Sequence, residues 1–293
     1  MEIALQGSRG SRLMNIFKQT VKSLLPEIAL DVVEVARAFR KVHGTFPNLL
    51  FPKTFNEKIV ARYLFDTNPV LSQFADKYAV RDYVAKQLGK AFLPELYWVT
   101  RSPRDIPFMR LPERFVVKPT HGAGWVRLVR DKNKLDRQEL ERQCNYWLSR
   151  NFYVQNRERI YKNITPRILV EEMIDDGGPA APTDYKFLVF HGRVEMVCVI
   201  LDRFTKMRGY FFDRDWKIPE VKRRLQLDDI PRPPHFEEMI RASEILANGM
   251  DFVRVDFYDT PKKIYFGELT TTPGAGLIQY QPANFDLYLG EFW

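Results

Sequence analysis

Seven apolar, β-branched segments follow one another between residues 114 and 269, and they constrain the fold more than any other feature of the chain. These segments are RFVVK (114–118), WVRLVR (125–130), ILVEEM (168–173), YKFLVF (185–190), VEMVCVIL (194–201), FVRVDFY (252–258) and KIYFGEL (263–269). Their length and composition predict β-strands. His191 and Gly192, which separate two of the segments, predict a tight hairpin turn.

The chain before these strands predicts helices. Residues 13–43 carry apolar residues at helical spacing, and Pro26 should break or restart that helix. The segment TFNE at 54–57 is a capping box, which predicts a helix from Phe55 to about Phe65. Another helix is predicted from Asp76 to Leu88, ended by the glycine that follows.

Two more helices interrupt the strands, at about 136–149 and 234–247. Asn248-Gly249 gives the second a clear C-terminal end. Mostly antiparallel strands with packed helices make an α+β architecture, which is the fold class that we predict.

The composition is that of an ordinary globular protein, with 45% hydrophobic and 28% charged residues in a chain of 293. No apolar run approaches the roughly 18 residues that a transmembrane helix needs. The first twenty residues lack the apolar core of a secretory signal. Cys144 and Cys198 have no paired spacing and no nearby histidine, so they predict neither a zinc site nor a disulfide. A reducing cytoplasm is the expected location.

The formal net charge of +8 favours an anionic partner, such as a nucleotide, a phosphate, an acidic polysaccharide, a membrane surface or nucleic acid. A solvated basic face, with a local cluster at Lys222, Arg223 and Arg224, is the alternative. Neither alternating basic and aromatic residues nor zinc-finger spacing is present, so no nucleic-acid partner is expected. The basic residues of the 13–43 helix could rest on anionic lipid in a peripheral membrane contact, or the helix could pack on the fold.

The last two strand segments carry the strongest candidate site. Arg254 and Asp256 lie on one, Glu268 and Thr270 lie on the other, and PGAG follows at 273–276. Residues two apart share a face of a strand, and the turn between the segments places Asp256 roughly opposite Glu268. Two opposed carboxylates repel each other unless a cation such as Mg²⁺ lies between them. The alternative is a structural salt bridge in which Arg254 neutralises Asp256.

A second candidate site is a lysine at the end of a strand followed by a glycine loop, in the sequence FVVKPTHGAG. Lys118, Gly122 and Gly124 belong to it. Glycines let backbone N–H groups approach phosphate oxygens, and a lysine supplies a point charge. His121 could contact phosphate, although a polar loop histidine would look the same. A hairpin with glycine in its turn also fits this pattern.

Two further pairs of charged residues complete the candidate site residues. Glu171 and Glu172 end a strand with one side chain on each face, and the strand edge there offers backbone groups to an adenine ring. Asp184 and Lys186 share one face of the next strand. They would form either a surface salt bridge or the ribose and phosphate contacts of a nucleotide.

The order of these motifs resembles that of the ATP-grasp superfamily, over about residues 72–293. The elements are a helix start at Asp76-Lys77, a strand lysine with a glycine loop, two acids on an apolar strand, and finally R-x-D, E-x-T and PG. FNEKI, DKYAVRDYV, LPERFVVKPTHGAG, DYKFLVFHG and GELTTTPGAG resemble its TupA-like branch, which is associated with teichuronopeptide and other cell-surface polysaccharide synthesis.

The resemblance implies an ATP-grasp fold in which two α+β subdomains sandwich ATP, with a helical N-terminal region. It divides the chain into that region (1–71), an α/β part (72–113) and the two subdomains (114–175 and 176–293). Lys118 and Lys186 would hold the phosphates, with Lys77 as a further helper from outside the central subdomain. The edge from Glu171 to Ile174 would hold adenine, and Asp184 would lie near the ribose. The implied nucleotide-binding residues are Lys77, Lys118, His121, Gly122, Gly124, Glu171, Glu172, Met173, Ile174, Asp184 and Lys186.

The resemblance also implies that Asp256 and Glu268 bind Mg²⁺. Many ATP-grasp enzymes have asparagine where this chain has Thr270, and a hydroxyl is a weaker ligand than an amide carbonyl. Thr270 is therefore the least typical of the three predicted metal ligands, which bears on whether the site takes one ion or two.

The implied reaction is ATP-dependent coupling of a carboxylate to an amine through an acyl phosphate, with Arg254 as the catalytic residue that steadies the oxyanion. An acidic sugar or amino-acid unit of a polysaccharide precursor fits the basic chain. Two alternatives stay open at this point. An ATP-grasp phosphotransferase acting on a sugar hydroxyl would use the same ATP site, and a non-catalytic nucleotide-binding protein would share the fold.

Overall fold

The computed structural model describes residues 26–175, 182–202, 206–222 and 230–293. The predicted helical residues 13–25 lie outside this part of the chain, as do Arg223 and Arg224 of the basic cluster. The α-helices are α1 Glu27–His43, α2 Phe55–Phe65, α3 Pro69–Ala75, α4 Ala79–Leu88, α5 Arg137–Leu148, α6 Phe152–Asn156, α7 Phe236–Leu246 and α8 Asn284–Gly290. The strands are β1 Leu96–Thr100, β2 Phe115–Pro119, β3 Arg127–Val129, β4 Ile168–Glu172, β5 Asp184–Phe190, β6 Arg193–Leu201, β7 Arg208–Asp213, β8 Phe252–Asp259 and β9 Ile264–Thr270.

The chain forms two compact units, one ending at Pro47 and the other running from Asn48 to Trp293. In the first, α1 starts directly after Pro26 and ends at Gly44, which has a positive φ of 80°. A helix therefore begins directly after the proline, and the predicted part before it lies outside the described residues. None of the described helices is long and apolar enough to cross a membrane. The subdomain boundaries at residues 71, 113 and 175 stay predictions.

The second unit contains two antiparallel sheets. The smaller has the strand order β1-β4-β2-β3 and the larger has the order β7-β6-β5-β8-β9. Helix α5 packs on the smaller sheet through Leu140 and Trp147, against Phe115 and Val117 of β2. Because side chains alternate along a strand, Val116 and Lys118 point to the opposite face, away from this core.

The larger sheet buries one face against α7. Phe187, Val197 and Val255 of three neighbouring strands pack with Phe236 and Ile240 of the helix. The turn at His191-Gly192 joins β5 to β6, and both residues have positive φ, so the predicted hairpin is confirmed. The other face of this sheet carries the polar residues of the candidate site.

Helix α2 holds the end of the larger sheet and the loop that follows it. Thr54 and Glu57 form the predicted capping box, and α2 runs from Phe55 to Phe65 as expected. Phe55 is fully buried against the rings of Phe190 and Phe252. This helix also contacts the 3-10 turn at 273–276, so it fixes the chain directly after β9.

Candidate functional site

A cavity of about 180 Å³ lies between the two sheets of the second unit. The smaller sheet contributes Val116, Lys118 and Leu128, and the larger contributes Asp256 and Glu268. Apolar walls with a few charged groups are typical of ligand sites. The cavity therefore gathers residues that are more than a hundred positions apart in sequence.

The sheet register brings the predicted metal ligands together. Asp256 of β8 is directly opposite Glu268 of β9, and on its other side it is opposite Lys186 of β5. The next row pairs Arg254 with Thr270. The predicted opposition of the two carboxylates is confirmed.

Asp256 is enclosed by two cations. Arg254 donates to it twice, from Nε to Oδ1 at 2.6 Å and from Nη2 to Oδ2 at 2.7 Å, while Lys186 Nζ donates to Oδ2 at 2.6 Å. Burial alone would raise the pKa of Asp256, but Arg254 and Lys186 outweigh it, so the pKa lies below its usual value. The salt bridge between Arg254 and Asp256, which was the alternative interpretation, is therefore present in the structure. Oδ1 of Asp256 accepts only one hydrogen bond, so this carboxylate can still accept from another group.

Glu268 faces the same cavity but makes no hydrogen bond or ion pair with any described residue. Burial would raise its pKa, yet Lys77 and Arg254 have the larger combined effect and lower it, so the side chain is ionised at neutral pH. A half-buried carboxylate without a contact partner, beside a second carboxylate, is an oxygen donor set that fits Mg²⁺. Thr270 differs, because its Oγ1 accepts a hydrogen bond of 2.9 Å from Arg254 Nη2.

Within the described ranges, no three His, Cys, Asp or Glu side chains converge as a metal site. Two carboxylates alone bind a divalent cation weakly, and Mg²⁺ in proteins commonly takes its remaining oxygens from substrate phosphates and water. The donor set therefore fits a metal that arrives with a phosphorylated ligand.

Two of the three predicted phosphate lysines, Lys118 and Lys77, approach the cavity from two elements, whereas Lys186 is not among the residues that line it. Lys118 lies on β2 and pairs with Glu171 of β4, which also meets Arg81 of α4 at 3.4 Å. Lys77 donates to the carbonyl of Gly122, and burial lowers its pKa. Both ammonium groups line the cavity, so they can meet an anion there.

The glycine loop divides into two parts. Gly124, with φ of 74°, lines the cavity. Gly122 does not, and a Cβ there would lie 2.9 Å from the ring of Trp125, so its missing side chain serves packing. His121 is buried with Nε2 at 3.0 Å from the carbonyl of Trp147, and burial lowers its pKa. It is not among the residues that line the cavity.

The predicted adenine edge runs along the cavity. Glu171, Glu172, Met173 and Ile174 all line it, at the end of β4 and just beyond. Glu172 accepts hydrogen bonds from the Tyr265 hydroxyl at 2.8 Å and from a backbone N–H of the segment before β1 at 3.0 Å. The backbone of this segment therefore stays in place beside the apolar wall.

Asp184 and Lys186 are buried rather than on the surface, so the surface salt-bridge interpretation was wrong. Lys186 Nζ lies 2.7 Å from Asp184 Oδ2 and bridges that carboxylate to Asp256. Both residues lie on the strand next to Asp256, with Lys186 directly opposite it on the same face of the sheet, and neither is among the residues that line the cavity. The ribose contact assigned to Asp184 stays a prediction.

Glu158 is a site residue that the sequence did not indicate. It precedes a 3-10 turn, is 6% exposed, and accepts a hydrogen bond of 2.8 Å from Thr272, two residues after β9. Burial, with a further contribution from the charge of Glu268, raises its pKa to about 7. An isolated glutamate between two ordinary loop residues carries no local signal of burial, so only the fold reveals it.

We expect Glu158→Gln to stabilise the protein more at pH 8 than at pH 5. The folded carboxyl keeps its proton up to about pH 7, whereas the unfolded one loses it near 4.5, so the wild type loses stability as pH rises between these values. Glutamine removes that loss, and the variant should gain about 2 to 3 kcal/mol in unfolding free energy relative to wild type between the two pH values. Urea denaturation at both pH values measures it.

Glu238→Gln is the matched control for the substitution itself, because Glu238 is exposed on α7. An equal effect of Glu158→Gln at pH 5 and pH 8 would mean that Glu158 is ionised in the folded protein at both.

Comparison with known proteins gives one family. The model of the family described as TupA-like ATPgrasp matches residues 57–293. No curated protein sequence matches the chain.

Solved structures similar to the chain include an ATP complex of D-alanine–D-alanine ligase from Bacillus anthracis, with 17% identity, 71% of this chain and 57% of that chain covered, and a TM-score of 0.41. The ADP complex of N5-carboxyaminoimidazole ribonucleotide synthetase is 15% identical, with 71% of this chain and 47% of that chain covered and a TM-score of 0.44. The macrocyclase MdnC from Microcystis aeruginosa MRC, bound with precursor peptide MdnA, is 14% identical, with 77% of this chain and 62% of that chain covered and a TM-score of 0.42. The chain spans less than two thirds of the length of each of these structures.

Proposed function

Because the chain belongs to the TupA-like ATP-grasp family, we propose that it is an ATP- and Mg²⁺-dependent ligase that joins a carboxylate to an amine. The observation that carries this proposal is the cavity in which Glu268, without a contact partner, lies opposite Asp256 and near Lys77 and Lys118. Carboxylates for a cation and ammonium groups for phosphates are the two requirements of a metal-nucleotide site.

Each group has a proposed role in binding. Asp256 and Glu268 would hold Mg²⁺, which when bound neutralises charge on the phosphates. Lys118 and Lys77 bind phosphate oxygens, helped by the backbone of the glycine loop at Gly124. Val116, Leu128 and Phe266, which line the cavity, would hold the adenine ring, and the backbone at 172–174 would meet its edge.

The reaction has two steps. A substrate carboxylate oxygen attacks the γ-phosphorus, the bond to the bridging oxygen breaks, and ADP leaves as an acyl phosphate forms. The amine nitrogen then attacks the acyl carbon, inorganic phosphate leaves, and the nitrogen loses its proton to give the amide. Arg254 steadies the oxyanion of the second step, because its guanidinium is fixed by Asp256 and Thr270. Full turnover in an Arg254→Met variant would contradict that role.

The substrate class follows from charge and family. A chain of net charge +8 favours an anionic acceptor such as an acidic sugar or amino-acid unit of a cell-surface polysaccharide precursor. Amide with ADP and phosphate as products supports a ligase, whereas a stable phosphorylated sugar would identify the phosphotransferase alternative.

The test of the nucleotide site is thermal unfolding with Mg²⁺ and ATP, ADP or GTP. A ligand at 100 times its Kd adds about 2.7 kcal/mol of stability, which raises Tm by about 5 to 10 °C in a domain of this size. We expect an adenine-selective, Mg²⁺-dependent rise that disappears in the double variant Asp256→Asn/Glu268→Gln. No rise with any nucleotide would remove the ligase proposal.

A further inference from the structure

Lys186 is held between two carboxylates on the sheet face that carries Asp256, next to the cavity lining. Its ammonium lies 2.7 Å from Asp184 Oδ2 and 2.6 Å from Asp256 Oδ2. All three side chains are buried, with exposed fractions of 13% for the lysine and 1% and 4% for the two aspartates. At this burial the ion pairs are weakly screened by salt and hold a defined geometry.

Asp256 Oδ2 has both of its accepting positions filled. A carboxylate oxygen has two lone pairs, and Oδ2 accepts from Arg254 Nη2 and from Lys186 Nζ. Oδ1 accepts only the Nε donor of Arg254. Lys186 therefore occupies the position through which Oδ2 could bind a cation.

Glu268 contrasts with Asp256, because none of the described residues forms an ion pair with it. Without nucleotide, a divalent cation would meet one available carboxylate and one that is neutralised by two cations. A nucleotide without the metal would meet a lysine that is already engaged by two carboxylates. The cation therefore lacks the Asp256 oxygen that Lys186 occupies, and the nucleotide lacks the Lys186 ammonium that the two carboxylates engage.

We propose that Lys186 acts as a latch, which keeps Oδ2 of Asp256 from binding a divalent cation until a nucleotide phosphate takes over its ammonium. The latch makes metal and nucleotide bind cooperatively, and the coupling is reciprocal by thermodynamic necessity. The inference rests on the proposed function, which supplies both the divalent-cation site at Asp256 and Glu268 and the nucleotide that releases the lysine.

The experiment measures Mn²⁺ binding by electron paramagnetic resonance of the free ion, with and without ADP. Lys186→Met removes the ammonium and keeps an unbranched side chain. We expect it to bind Mn²⁺ about tenfold more tightly than wild type without ADP, and to lose about tenfold of the enhancement that ADP gives wild type.

Lys77→Met is the matched control for charge alone. Lys77 has the largest favourable electrostatic effect on Glu268, yet it has no contact with Asp256. The latch predicts a clearly smaller rise in nucleotide-free Mn²⁺ affinity for this variant than for Lys186→Met. An equal rise in both would mean that only the electric field of the site has changed, and the latch would be rejected.

Unchanged nucleotide-free Mn²⁺ affinity in Lys186→Met also overturns the latch, as does a complete lack of Mn²⁺ binding in both forms. Failure of the proposed function looks different: ADP would bind neither form, while the Mn²⁺ comparison without nucleotide still reports on Lys186. Circular dichroism melts check folding, and Lys186→Gln replaces the methionine variant in every comparison if that one does not fold.

Discussion

A protein with alanine in place of Gly276 is expected to lose about 3 to 4 kcal/mol of its unfolding free energy, from backbone strain and overpacking together. Gly276 has φ of +67°, a conformation that a Cβ disfavours. The added Cβ would also lie 2.7 Å from the carbonyl oxygen of Asn56 and 2.7 Å from Cγ2 of Val60. Both contacts belong to α2, whose position is fixed by the aromatic residues around Phe55, so neither can move away easily.

Gly249→Ala separates the two causes. Gly249 has φ of +80°, but a Cβ there would have no atom within 4 Å. This variant should lose only the strain energy of about 1 to 2 kcal/mol. Urea denaturation of both variants at pH 7 gives the comparison. Equal losses would show that α2 yields to the extra methyl group and that the close approach has no energetic weight.

Most helices and strands of the second unit were predicted, because their starts, ends and turns depend on short runs of neighbouring residues. The capping box at Thr54, the stop at Gly89 and the hairpin turn at His191 each need only a few neighbouring residues, and each is confirmed. Some short elements were not predicted, among them the five-residue helix α6. Strand β7 is a short edge strand with a half-exposed face, and α3 and α8 have seven residues each, too few for a helical period to appear.

The candidate site was predictable where strand alternation decides it. Arg254, Asp256, Glu268 and Thr270 lie on one hairpin, whose turn predicts their approximate opposition. A register shift between Asp256 and Phe257 then sets the pairing of Asp256 with Glu268, and no sequence pattern indicated that shift. Contacts between distant elements were not predictable. The pairing of Lys186 with Asp256 and the pairing of Arg81 with Glu171 leave no trace in neighbouring residues, because they arise when sheets and helices pack. The same holds for the burial of His121 and Glu158.

Glu268→Ala and Asp256→Ala are expected to have the same effect on ligand binding and different effects on stability. Asp256→Ala leaves the buried cations Arg254 and Lys186 without their shared partner, which should cost about 3 kcal/mol of unfolding free energy. Glu268 has no contact partner among the described residues, so its removal should change stability by less than about 1 kcal/mol. Both variants should lose the stabilisation that Mg²⁺ with ADP gives wild type.

Asp251→Ala provides the matched control for this pair. Asp251 accepts from the buried guanidinium of Arg62 and from the indole of Trp293 at 2.9 Å, away from the cavity lining. Its loss should destabilise the protein while the shift with Mg²⁺ and ADP stays intact, which shows that lowered stability alone does not abolish binding. Urea denaturation measures the unfolding free energy, and thermal unfolding with Mg²⁺ and ADP measures binding.

If Glu268→Ala were as destabilised as Asp256→Ala, Glu268 would have a structural partner. If it kept the Mg²⁺-dependent shift, the cation would be bound by Asp256 without it, and the pair of opposed carboxylates would not be the metal site.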